Sequence, residues 1–72
     1  MKKFYLVEIA TGDEKIAGKS IYEYETKNEA IASFHTKLGQ AMKSELFETD
    51  LLMVIDSEGN WFEQRYYNKN VQ

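Results

Sequence analysis

A chain of 72 residues has room for one domain with a thin core, because a chain near this length buries only about 60% of the surface its unfolded form exposes. The absence of cysteine excludes disulfides and thiolate metal ligands and leans toward a cytoplasmic setting. Twelve acidic against nine basic residues give a net charge of −3, which argues against a general polyanion-binding surface, and the basic residues are spread along the chain rather than clustered.

The run Phe4 to Ile9 alternates Tyr5, Val7 and Ile9 with Phe4, Leu6 and Glu8. Both of its sides are mostly apolar, which predicts a strand in the interior of a sheet, and it is too short for a signal-peptide core or a membrane span. Thr11-Gly12-Asp13-Glu14 supplies turn chemistry. A second strand is expected from Lys15 or Ile16 to Tyr24, with Tyr22 and Tyr24 on one side and Ile21 and Glu23 on the other. Gly18 and Ser20 weaken it, which predicts a bulge or an edge position there, and Lys19 with the flanking glutamates suits an edge.

Thr26-Lys27-Asn28-Glu29 spells a capping box: the threonine hydroxyl and the glutamate carboxylate each satisfy the other residue's backbone amide. Ala30, Ile31, Phe34, Leu38, Ala41 and Met42 then recur at helical spacing as a buried stripe. Gly39 lies on the opposite side, where it either marks a close approach or is merely tolerated.

Leu51 to Ile55 is a third strand apolar on both sides, with an extended lead-in through Leu46 and Phe47. Asp56-Ser57-Glu58-Gly59-Asn60 reads as a hairpin turn with Gly59 in a left-handed position, and the last strand runs from Trp61 to Tyr67. The tail beyond is expected to fray. The prediction is therefore an α+β, ββαββ domain over residues 1–72 with an ordered core at about 3–67. Its four-stranded, mainly antiparallel sheet has the first and third strands near the centre and one helix on one face.

One helix cannot cover two apolar sheet faces. If it covers the Tyr5, Val7 and Ile9 side, then Phe4, Leu6, Leu52, Val54 and Trp61 lie on the opposite face as an interaction surface, and sheet-to-sheet pairing in a homodimer is the simplest use of it. The alternative is a nucleic-acid-associated accessory role, with Arg65, Tyr66 and Tyr67 stacking on single-stranded bases. An enzyme ranks third. His35 is the sole histidine, the carboxylates and serines form no recognisable catalytic motif, and no phosphate loop or calcium loop is present, so no catalytic residue, metal or cofactor is expected. No membrane association is expected either.

The segments Tyr22 to Ala30, Phe34 to Leu38 and Leu52 to Asp56 together resemble a group of small uncharacterised proteins from bacteria and their prophages. That resemblance implies a bacterial or phage setting and brings no active-site residues with it.

Overall fold

Strands apolar on both sides belong inside a sheet, and β1 (Phe4–Gly12) and β3 (Phe47–Asp56) form its centre. The computed structural model describes residues 2–12, 17–43 and 47–68. It is an α+β fold in which β1, β2 (Ala17–Tyr24), α1 (Lys27–Lys43), β3 and β4 (Trp61–Asn68) follow in chain order. The sheet is antiparallel throughout, in the order β2-β1-β3-β4, and α1 lies across one face. The expected turn chemistry at Asp13 and Glu14, the Leu46 lead-in and the tail beyond Asn68 fall outside the described residues.

The helix begins where its cap dictates. Glu29 N donates to Thr26 Oγ1 and Thr26 N donates to Glu29 Oε1, each at 3.2 Å, so two amides that a helix start leaves open are satisfied. Its inward side presents Ala30, Phe34 and Ala41 as buried residues, with Ile31 and Leu38 half-buried. Met42, expected on this stripe, is half exposed. Nothing packs against Gly39, so the glycine is simply tolerated. Gly39→Ala should therefore raise stability by up to about 1 kcal/mol, read as an increase in thermal midpoint.

Leu6, Leu52 and Val54 are fully buried beneath Ala30 and Phe34, and Phe4, Tyr22, Tyr24 and Phe62 pack around them. Each fully buried aliphatic side chain contributes about 1.5–3 kcal/mol. Polar ties fix the helix above this core. Tyr24 Oη donates to Ser33 Oγ at 2.6 Å, and Lys37 Nζ donates to the Tyr22 hydroxyl at 3.2 Å while lying 4.4 Å from the centre of that ring.

The predicted β3–β4 turn is present, with Gly59 at φ +87°. Asp56 organises it. Its carboxylate is buried yet accepts bonds from the Glu58 and Asn60 amides at 2.9 Å, from Asn60 Nδ2 at 3.0 Å and from Lys2 Nζ at 3.2 Å. Burial alone would raise this acid, but the bonds from Asn60, Glu58 and Lys2 outweigh it and hold it down at about 2.

Of the bulge or edge position expected near Gly18, the structure shows the edge. β1 and β2 pair in unbroken register from Phe4–Tyr24 to Thr11–Ala17, and the weak residues are accommodated by the edge position instead. The irregularities lie between Thr11 and Gly12 against β3, and at Val54/Ile55, where Phe62 is the extra residue in β4.

Candidate functional site

The helix lies on the face opposite to the one expected. Leu6, Leu52 and Val54 are its fully buried core and half-buried Phe4 packs against that core, so none of the four lies on the uncovered face. Period-two alternation favours the other face, because the even positions of β1 and β3 carry the acids. Glu8, on the same side of β1 as Phe4 and Leu6, sits on the helix side, within a polar pocket at one end of the core. Of the expected interaction residues only Trp61 is on the uncovered face, and it is 62% exposed.

The register builds that uncovered face row by row, because directly paired residues point to the same side. One row is Glu23, Tyr5, Ile55 and Trp61; the next is Ile21, Val7, Met53 and Gln64; the third is Lys19, Ile9, Leu51 and Tyr66. The central strands contribute only apolar or aromatic side chains to these rows, and the polar members stand on the edge strands. Ile21 is 71% exposed, Tyr66 57% and Ile9 43%, while Tyr5, Val7, Leu51, Met53 and Ile55 are half-buried among one another. Trp61 and Tyr66 add two aromatic rings to this face at the β4 edge.

Arg65, Tyr66 and Tyr67 do not share a surface. Tyr66 is on the uncovered face, whereas Arg65 pairs with Leu52 and Tyr67 with Asp50, which places both on the helix side. A stacking platform needs several rings on one open face beside a cation, and these three residues alternate instead. His35 is exposed on the helix with its ring edge-on to Phe34 at 5.2 Å.

A second, polar region lies on the helix side, between α1 and the β2 end of the sheet. Glu8, Ser20, Tyr22, Lys37, Gln40, Ala41 and Asp50 line a pocket of about 430 Å³. Asp50 is 0% exposed and neither of its carboxylate oxygens receives a hydrogen bond. The polar group beside it is the Glu8 carboxyl, itself an acceptor, so the two can bond only when one of them holds a proton. Burial first, then that neighbour, pushes the Asp50 carboxyl up to about 7. Across the pocket, bonds from Ser20 and Lys37 hold the Tyr22 phenol below its usual range, and the bond to Tyr22 raises Lys37.

Sequence reasoning missed both arrangements in detail. The rows of the uncovered face follow from the strand register, and the Glu8–Asp50 pairing follows from a diagonal across β1 and β3; neither is visible without the alignment of strands. Among the described residues no group of three or more His, Cys, Asp or Glu side chains could hold a metal ion, and no helix is long and apolar enough to cross a membrane. No family model, curated protein or solved structure matches the chain.

Proposed function

We propose that this protein is a nonenzymatic interaction module that self-associates face to face through the uncovered side of its sheet. The observation that carries the reading is the apolar run across all four strands, from Ile21 through Val7 and Met53 and from Ile9 through Leu51 to Tyr66, with Trp61 at the corner. A contiguous exposed apolar patch of this kind commonly marks an interaction site. Pairing two such faces gives a sandwich whose shared core supplements the thin one beneath the helix. The charges on the rim fit a two-fold contact: Lys19 and Glu23 stand on the same face of β2, so opposite signs are present in each copy to meet across an isologous interface. A cytoplasmic, bacterial or phage setting completes the proposal.

Sedimentation velocity over a concentration series tests it. The expected result is a dimer that dissociates on dilution. Ile21→Lys and Trp61→Lys, one at each edge of the face, should each weaken association at least about tenfold, equivalent to about 1.4 kcal/mol, while leaving the helical circular dichroism intact. A monomer at every concentration overturns the reading.

A further inference from the structure

The pocket beside α1 has a chemistry that self-association does not use. Asp50 is fully buried, both of its oxygens lack a donor, and it lines an open space of about 430 Å³. Glu8, Ser20, Tyr22, Lys37, Gln40 and the small Ala41 complete its lining. The volume falls within the roughly 300–1,000 Å³ of pockets that hold small molecules. A thin core gains nothing from an acid without partners, since an unpaired buried polar group costs free energy that an apolar residue there would not.

The pocket carries both signs of charge. Glu8 and Asp50 offer only acceptors when ionised, while the Lys37 ammonium, the Tyr22 hydroxyl and the Gln40 amide offer donors. We infer that this pocket binds a free α-amino acid, with the ligand's ammonium against Asp50 and Glu8 and its carboxylate against Lys37 and Gln40. The ligand ammonium supplies the donors that the Asp50 oxygens lack. The titratable and polar groups that face this site are Glu8 from β1, Ser20 and Tyr22 from β2, Lys37 from α1, and Arg65 and Tyr67, which share this face from β4. Binding therefore tightens as pH rises through the range in which the Asp50 carboxyl gives up its proton.

The experiment is a two-dimensional amide NMR titration of the full chain with the standard L-amino acids, added singly at millimolar concentration, with ethylammonium and acetate as half-ligands. The expected result is saturable shifts at Glu8, Ser20, Lys37 and Asp50 for at least one amino acid, with either half-ligand at least tenfold weaker. Asp50→Asn should lose the amino acid. Lys37→Met, a change on the helix surface that leaves the acids in place, should lose it while keeping ethylammonium, and retained dispersion of the helix amides shows that both variants are folded. If no amino acid moves these amides, if ethylammonium alone binds as tightly, or if Asp50→Asn binds unchanged, the pocket is not an amino-acid site and the inference fails.

Discussion

Leu52→Ala is expected to lower the unfolding free energy by about 3 kcal/mol and the thermal midpoint by about 15 °C. Leu52 is fully buried at the centre of the cluster formed with Leu6, Val54, Ala30 and Phe34, and it lies on a central strand, so the surrounding backbone has little freedom to close the void. A domain of this length has a total stability on the order of 4–11 kcal/mol, which makes the loss a large share of the whole. Ile21→Lys provides the contrast. That side chain is on the uncovered face, so its effect on the midpoint should vanish on dilution, whereas the Leu52 effect should persist at every protein concentration. Thermal unfolding of both variants across a dilution series checks the two expectations together. An exposed-face Leu52 would produce the opposite pattern.

Asp50→Asn is expected to stabilise the protein at and above neutral pH by on the order of 3 kcal/mol, and to flatten the dependence of stability on pH. Burial, then the Glu8 carboxyl, pushes the Asp50 carboxyl up to about 7 in the folded chain, well above the usual 3.8 of a free aspartate. Between those values the folded state binds more protons than the unfolded state. The contribution of this group is therefore fully present below about pH 4 and is lost as pH rises through about 7. Asparagine stays neutral throughout and brings an N–H donor for the Glu8 carboxylate. Asp56 works in the other direction: its folded value near 2 means that its contribution is present above about pH 4 and lost as pH falls toward 2. Urea denaturation over this range should show a maximum near pH 4 in the native chain, shifted upward in the Asp50→Asn variant. A native chain whose midpoint does not fall between pH 4 and 7 contradicts the assignment.

The elements, their order, the central placement of β1 and β3, the capping box and the Asp56–Asn60 turn were all legible, because each rests on local chemistry or on period. The choice of face was not. In β1 and β3 both sets of positions carry apolar residues, but the even set also carries Glu8, Glu48, Asp50 and Asp56, so alternation favours the odd set for the helix side, and what reverses that choice is tertiary. Tyr22, Tyr24 and Phe62 converge on the helix side of the sheet, and the acids on that side are accommodated at its two ends, Asp56 by its own turn and Asp50 with Glu8 in the pocket under Lys37. The mismatch between sheet area and a single helix was legible as a quantity, yet four of the five residues chosen to represent it, Phe4, Leu6, Leu52 and Val54, lie in or against the core. The pocket was hidden for a similar reason, since Glu8 and Asp50 are distant in sequence and meet only through the β1–β3 pairing.

Strands that are oily on both sides carry a hazard of their own, because a slip of one position normally turns apolar groups outward and is rejected for that reason. In β1 and β3 such a slip would exchange one greasy set for another at little cost. Asp56 removes the degeneracy. Its four-way anchorage in the hairpin bend, together with the Ser57 amide bonded to the Lys3 carbonyl at 2.9 Å, holds β3 to β1 in a single alignment. The buried carboxylate thus works as a key for strand alignment, and a chain lacking it would be prone to settle as a mixture of inverted sheets that equilibrium stability alone would not distinguish.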